Sequence, residues 1–281
     1  MSGFRANFIA EIVDLVRHPL AWLAALATAG TAIAVGLSPT TDNTNGWLVY
    51  QSALFASSQA AGFFLLGIAA MAVATDRTRG TIRWIMPRPI SRRGYVLGKS
   101  LAVLLLAVVL LVVATLASWA VAAPHGFGDV VAITEQDAGG DEGFDFVEDE
   151  VIPLEFQADS MRSYAVGATA RVLPALWTLV AIGLLVSTLI RSSAGAVITA
   201  IGIALPVHFL PELLGLTERT ARLLPQRAAT ASFAQFEIFA KRQADYNWQE
   251  YTGASLLAAL ALCLGLPLLG ALLFQRLDLT D

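Results

Sequence analysis

The sequence predicts an all-α membrane protein with six transmembrane helices, an N-terminal interfacial amphipathic helix and short extracytoplasmic helices before the last span. Of its 281 residues 56% are hydrophobic and only 14% are charged, whereas soluble domains carry about 25% charged residues. The apolar residues occur in blocks of about 20, the length of helix that crosses a bilayer core. Backbone groups inside lipid must be hydrogen-bonded within their own segment, so blocks of this length form helices.

The first segment, residues 4–18, is predicted to form the amphipathic helix. Its apolar residues Phe4, Phe8 and Ile12 recur at helical spacing, with polar residues such as Glu11 between them. A short amphipathic helix that ends where an apolar block begins is expected to lie flat in the membrane interface. A helix packed on a soluble partner remains the alternative. The acidic residues are atypical of a signal peptide, so we expect the segment to be retained.

Six apolar blocks follow, and each is predicted to span the membrane. All are rich in Leu, Ala, Val and Ile. Their frequent Ala, Gly, Ser and Thr residues would let the helices pack closely. The predicted spans are residues 20–37, 53–75, 96–122, 166–190, 194–210 and 254–274, and we treat residues 1–281 as a single transmembrane domain.

The basic residues in the short loops predict the orientation. The loop over residues 76–99 is dense in Arg, whereas the loop over residues 38–50 contains no Lys or Arg. Lys and Arg concentrate in cytoplasmic loops. Residues 76–99 are therefore predicted to be cytoplasmic, and an even number of spans places both termini in the cytoplasm of a multi-pass plasma-membrane protein. Basic residues within 212–252 oppose this assignment, although long segments translocate with less regard to charge.

Besides the loop over residues 38–50, two longer segments are predicted to lie outside the cell. Residues 124–164 form an acidic extracytoplasmic loop, whose spacing of carboxylates does not match a twelve-residue calcium loop. A solvated acidic loop is the interpretation we favour. Residues 212–252 are predicted to form an extracytoplasmic helical segment, with Trp248 and Tyr251 as interfacial anchors.

The sequence contains no pattern typical of an enzyme, a metal site or a nucleic-acid-binding protein. Cys263 is the only cysteine and lies in an apolar block, while the three histidines are far apart, so the usual metal-site spacings are missing. There is no nucleophile elbow and no basic arm. Covalent chemistry by this chain is therefore not expected.

Gly98, Lys99 and Ser100 imitate the end of a phosphate-binding loop. That motif needs a glycine five residues before its second glycine, and Arg93 occupies the position here. No strand precedes the motif and an apolar block follows it. We therefore expect no nucleotide to bind this chain.

The most informative stretch is residues 76–100, which is too short for a domain and too patterned for a plain linker. Residues 81–86 could form a short helix across the membrane face, Pro87 and Pro89 would stop it, and Ser91 can cap the next helix. A rigid basic ledge of this kind suits the docking of a soluble partner. An ordinary basic loop is the alternative, which accounts for the arginines but not for the close Gly and Pro spacing.

This stretch resembles the first cytoplasmic loop of permease subunits of ATP-binding-cassette (ABC) exporters, in the type 2 permease family. That loop has an acidic residue, Gly-Thr, a short helix, Pro, Ser-Arg, an aromatic residue and Gly-Lys before the third span. The matching residues here are Asp76, Gly80, Thr81, Pro87 or Pro89, Ser91, Arg92, Tyr95, Gly98 and Lys99. The six-span layout and the turn over residues 187–194 are also similar. Asp76 stands where Glu is usual, and the loop over residues 124–164 is unusually long and acidic.

The resemblance implies a transport subunit of an ATP-driven exporter, not an enzyme. It would pair with a second permease copy or paralogue within membrane lipid, and with two ATP-binding subunits that hold ATP and Mg; this chain itself would hold no cofactor. Residues 81–87 would be the coupling helix, with Asp76 and Arg79 fixing its ends. The implied partner-coupling residues are Asp76, Arg79, Gly80, Thr81, Ile82, Arg83, Ile85, Pro87, Ser91, Arg92, Gly98 and Lys99.

Two alternatives come from other classes, an ATP-independent secondary transporter and a membrane-embedded scaffold or accessory protein. Secondary transporters ordinarily show internal repeats or ionisable groups near the bilayer midplane, and the sequence offers no convincing case of either. The substrate is not predicted, because lipids, peptides, drugs and glycans all fit this layout.

Overall fold

The structure is a computed structural model that describes residues 2–38, 45–81, 92–128, 130–132, 154–156, 158–213 and 249–276. The α-helices in these ranges are α1 Ser2–Arg17, α2 Pro19–Gly36, α3 Gly46–Thr78, α4 Arg92–Ala122, α5 Ala158–Leu189, α6 Ser193–Leu213 and α7 Gln249–Arg276. A 3-10 turn, Ala123–His125, follows α4. Strand β1, Val130–Ala132, pairs antiparallel with β2, Leu154–Phe156.

Five of these helices, α2, α3, α4, α5 and α7, are long and apolar enough to cross a membrane. In α6 the apolar part is the shorter Ser193–Pro206. The predicted helical membrane fold is therefore confirmed. A sixth span through α6 and an interfacial position for α1 stay predictions, because length and composition do not decide them.

The helices extend beyond the apolar blocks that predicted them. Helix α3 has 33 residues, about 50 Å at 1.5 Å per residue, so its ends pass the hydrocarbon core. It begins at Gly46, where the side chain of Asn45 accepts the N–H of Trp47 at 2.9 Å. Parts of the predicted loops 38–50 and 76–99 are therefore helical, because capping and packing continue a helix past its apolar residues.

The short ribbon of β1 and β2 was not predicted from the sequence. Val131 pairs with Glu155 in its register, so the ribbon joins the two ends of the predicted acidic loop. Strands of three residues leave too little alternation to recognise in a sequence. The loop residues 133–153 between the strands, and most of the predicted extracytoplasmic helical segment (214–248), lie outside the described residues.

Helix α3 is central and packs against α2, α4, α5 and α6. Leu54 and Leu65 of α3, Leu110 of α4 and Leu184 of α5 are almost completely buried. Large apolar side chains such as Trp22 remain exposed on the outer surface, as expected for helices that face lipid. Close packing, rather than exclusion of water, holds helices together in such an environment.

Helices α3 and α5 approach each other closely at Gly183. A Cβ atom placed on Gly183 would lie 2.8 Å from the carbonyl oxygen of Leu66. One turn later, Ser187 Oγ accepts hydrogen bonds from the backbone N–H groups of Val73 and Ala74, both at 2.9 Å. Two small residues four positions apart thus let the backbones meet. This contact positions the C-terminal end of α3, which carries the candidate site.

Candidate functional site

The site is a buried cluster of charges where α1, the end of α3 and the start of α4 meet. Lys99 of α4 is 5% exposed. Its Nζ lies 2.7 Å from Glu11 Oε1 of α1 and 2.9 Å from Asp76 Oδ2 of α3. We call Glu11, Asp76 and Lys99 the charged triad. Lys99 therefore links α1, α3 and α4 through ion pairs.

Tyr95 lies one turn before Lys99 and completes the surroundings of Asp76. It is fully buried, and its hydroxyl donates a hydrogen bond to Asp76 Oδ2. Its ring centroid lies 5.3 Å from Lys99 Nζ and 6.0 Å from the ring centroid of Phe274 in α7. The same carboxylate oxygen therefore accepts from a tyrosine and a lysine, and α7 is packed against the cluster.

Asp76 also contacts the turn by which the chain leaves α3. The helix ends with the N–H of Arg79 donating to Thr75 O at 2.9 Å, and Gly80 follows with φ of +69°. Left-handed backbone of this kind favours glycine. The Thr81 hydroxyl lies 3.1 Å from Asp76 O and 3.3 Å from Asp76 Oδ1. Asp76 thus stabilises the turn from Arg79 to Thr81, which precedes residues 82–91.

Gly98 allows α1 to approach α4. A Cβ atom placed on Gly98 would lie 2.5 Å from Asn7 Nδ2. The Asn7 amide itself donates to Tyr95 O at 3.3 Å in a buried contact. The absence of a side chain at position 98 is therefore what brings Glu11, one turn after Asn7, within reach of Lys99.

Two further contacts connect the end of α3 to the turn between α5 and α6. Arg77 Nη1 donates to Thr188 O at 2.9 Å, and the Thr78 hydroxyl lies 2.9 Å from Arg191 O. Helix α1, the C-terminal ends of α3 and α7, the start of α4 and the turn between α5 and α6 accordingly gather at one end of the bundle.

The structure brings together part of the residue set that the resemblance implied. Asp76, Thr81, Gly98 and Lys99 meet in the cluster, with Arg79 and Gly80 at the adjoining turn. Arg92 lies apart, where its Nη1 donates to Gln275 O at 3.2 Å. The remaining implied residues lie outside the described part of the chain: Ile82, Arg83, Ile85, Pro87 and Ser91.

Within the predicted ledge, Gly98 and Lys99 are buried in helix α4 rather than exposed in a loop. They contact other helices of this chain. Any part they play in coupling would therefore act through contacts within this chain and not through direct contact with a partner. The predicted coupling helix over 81–87 is described only at Thr81.

Sequence reasoning did not select Asn7 and Glu11, and it noted Tyr95 only through the resemblance. A signal was present, since Asn7 and Glu11 are four residues apart, as are Tyr95 and Lys99. Residues at this spacing share one face of a helix. The two polar pairs could therefore have been matched with each other.

Burial raises the pKa of the Glu11 carboxyl above its ordinary 4.5, because lost hydration outweighs the attraction of Lys99. The repulsion of Asp76 and Asp14 acts in the same direction. A group whose pKa is raised by folding contributes stability that is complete below its unfolded pKa and is lost as pH rises through the folded pKa.

Replacing Glu11 by glutamine should remove this pH dependence. As pH rises from 4.5, the melting temperature of the unmodified protein should fall relative to that of Glu11→Gln, because only the former loses the favourable proton. Thermal unfolding in detergent between pH 4 and pH 8 measures the difference. Parallel curves for the two proteins would show that Glu11 titrates as an exposed carboxyl does.

The cluster links three helices through ion pairs and a hydrogen bond between buried or half-buried side chains. Two carboxylates share one lysine, so the charged triad carries a net charge of about −1 when all three groups are ionised. In the ranges that the structure describes, no group of His, Cys, Asp and Glu side chains could hold a metal ion. What the arrangement does is hold three helix ends in one relative position.

A family model described as ABC-2 family transporter protein matches residues 57–279. The chain belongs to the ABC-2 transporter family. It is thus a multi-pass membrane protein and the permease type of subunit of an ABC transporter, as the resemblance implied. Permeases of this family normally work with ABC ATP-binding subunits. A search of curated proteins finds no match to the chain.

The matched region includes most of α3 and all of α4 to α7, so it contains Asp76, Tyr95 and Lys99. It leaves out α1, which supplies Asn7 and Glu11. The permease therefore joins a helix outside the match to the family region through Lys99.

Proposed function

We propose that this permease is the transmembrane subunit of an ABC exporter in the plasma membrane, driven by ATP hydrolysis on two separate ATP-binding subunits. A second permease copy or a paralogue completes the transporter. The charged triad carries this proposal, because it links the exit of α3 toward residues 82–91 to α1 and α4.

Coupling requires that movement of the ledge be passed to the spans rather than absorbed by a flexible joint. Residues 82–91 leave α3 through the turn held by Asp76 and Thr81 and rejoin the described chain at Arg92. Lys99 ties the start of α4 back to Asp76. An ATP-binding subunit that binds one conformation of residues 82–91 more tightly than another would therefore shift α3, α4 and α1 together.

The basic residues support an orientation with this end in the cytoplasm. Arg5, Arg77, Arg93, Arg191 and Arg276 all lie on the helix ends or turns that gather at the site. Lys and Arg favour the cytoplasmic side of a membrane. Both termini and residues 82–91 would then face soluble ATP-binding subunits.

Copurification tests the function directly. An affinity-tagged permease, expressed with the genes that flank it, should retain a soluble chain that contains a phosphate-binding loop and hydrolyses ATP. Copurified ATPase activity of this kind would support ATP-driven transport. Transport of cargo by the pure permease without nucleotide would instead indicate a secondary transporter, and retention of partners with no ATPase among them would indicate a scaffold.

Within such a complex, Gly80→Ala should reduce transport and permease-stimulated ATPase activity several-fold while membrane insertion stays normal. No atom of the described residues lies within 4 Å of a Cβ added at Gly80, so an added methyl group meets none of them. The alanine must instead adopt the left-handed backbone conformation, at a cost of about 1–2 kcal/mol. We expect the turn to relax and residues 82–91 to change direction.

Gly67→Ala is the matched control. Gly67 likewise has no described atom within 4 Å of an added Cβ, but it lies within α3 and has no positive φ. The same methyl group there should stabilise the helix by up to about 1 kcal/mol. ATPase stimulation that falls equally in both variants would contradict a specific part for the turn at Gly80.

A further inference from the structure

A cavity of about 430 Å³ lies beside the charged triad, between the α1–α2 junction and the end of α3. This volume is within the range of small-ligand sites. Four helices contribute to its walls, α1, α2, α3 and α4. Helix α2 begins its apolar span at Pro19 and α3 ends at Thr78, so we infer that the cavity lies near a membrane surface.

One part of the cavity wall is charged. Arg17 comes from the end of α1 and Arg79 from the turn after α3, while Asp14 and the charged triad supply carboxylates. Within the ranges that the structure describes, neither arginine forms an ion pair. The guanidinium groups are therefore available to an anionic group in the cavity.

The charges on the wall balance. Arg17 and Arg79 contribute two positive charges, and Asp14 together with the net charge of the triad contributes two negative charges. A ligand that carries both a phosphate and a protonated amine matches this wall better than a simple anion does. Arginine pairs well with phosphate, and carboxylates pair with an ammonium group.

Another part of the wall is apolar, and it is formed mainly by Leu15, Leu20, Ile68 and Met71. Thr75 also lines the cavity. A ligand with a polar head and an apolar chain would match both parts of the wall.

We propose that this cavity binds the headgroup of a phosphoethanolamine lipid. Arg17 and Arg79 hold the phosphate, Asp14 and the carboxylate excess of the triad hold the amine, and the first part of the acyl chains lies along Leu20 and Met71. The bound lipid braces α1 and α2 against the end of α3. This proposal depends on the cavity alone and stands whether or not an ATP-binding subunit drives the permease.

Lipid titration of the full-length permease tests the proposal. Delipidated protein in detergent is titrated with phosphatidylethanolamine, phosphatidylglycerol and phosphatidylcholine of identical chains, and with water-soluble glycerophosphoethanolamine. Native mass spectrometry measures occupancy and thermal unfolding measures stabilisation. We expect saturable binding of phosphatidylethanolamine, weaker binding of the other two lipids, and much weaker binding of the soluble headgroup because it lacks apolar contacts.

The double variant Arg17→Gln with Arg79→Gln should bind phosphatidylethanolamine about tenfold more weakly, since it loses two charge-assisted contacts. Arg93→Gln is the matched control, because Arg93 is exposed on α4 and does not line the cavity. Asp14→Asn changes an exposed residue and should remove the preference for phosphatidylethanolamine over phosphatidylglycerol, so it tests the amine even if the double variant folds poorly.

Three outcomes would overturn the proposal. If the double variant and Arg93→Gln bind phosphatidylethanolamine with equal affinity, Arg17 and Arg79 do not contribute to the site. Tighter binding of phosphatidylglycerol than phosphatidylethanolamine would exclude an amine. Equal binding of the soluble headgroup and the lipid would assign the cavity to a free phosphate ester rather than to a membrane lipid.

Discussion

Replacing Lys99 with methionine should lower the free energy of unfolding by about 3 kcal/mol. Methionine keeps an unbranched side chain of similar length, so the packing change is small. It removes the cation that lies between the Glu11 and Asp76 carboxylates, leaving two negative charges close together in a poorly hydrated site. Breaking a buried ion pair typically costs about 3–5 kcal/mol, and we expect the lower end because both carboxylates keep some exposure.

Thermal unfolding in detergent checks this result, with Arg93→Met as the control at an exposed position of the same helix. Adding Glu11→Gln and Asp76→Asn to Lys99→Met removes the unpaired charges and should restore part of the lost stability. The recovered part is an interaction energy of the kind that combined variants isolate. A Lys99→Met protein that melts like the unmodified one would show that the triad contributes nothing.

Gly183→Val should destabilise the permease by about 2–3 kcal/mol, at the upper part of the range for overpacked interiors. The new side chain would begin 2.8 Å from both Leu66 O and Ala69 Cβ, and 3.0 Å from Ala70 N. Two of these three neighbours are backbone atoms of α3, so no rotamer change relieves the contact. The two helices would have to separate, which would also lengthen the hydrogen bonds to Ser187.

Gly167→Val is the control, because Gly167 lies on the same helix and no described atom lies within 4 Å of its added Cβ. We expect its unfolding free energy to change by no more than about 0.5 kcal/mol. Denaturation curves of the two variants in one detergent give the comparison. Equal stability of the two would indicate that α3 and α5 tolerate separation at Gly183.

Helix α1 shows where sequence reasoning reached its limit. Apolar residues at helical spacing predicted an amphipathic helix, and the helix is present at Ser2–Arg17. The same pattern suits a helix in the membrane interface and a helix packed on another helix. Glu11 therefore looked like part of a solvated face, although the structure pairs it with Lys99.

The ledge shows the opposite case, in which local residues were informative. Gly80 was selected through the family resemblance, and it occupies a left-handed position at the end of α3. The resemblance also implied that Asp76 fixes an end of the coupling helix, which stays a prediction; in the structure Asp76 accepts a hydrogen bond from the Thr81 hydroxyl and pairs with Lys99. Turn residues carry their own conformational requirement, so they can be recognised without the fold.

The helical membrane class, most of the helix positions and the family resemblance could be predicted from the sequence, because apolar block length and short motifs are local properties of the chain. The tertiary structure was needed to show that Lys99 pairs with Glu11 as well as Asp76. It was also needed to show that α1 packs closely against Gly98 and that Gly183 and Ser187 position α3. Each of these contacts joins residues far apart in the chain, and whether two such residues meet depends on how every helix between them packs.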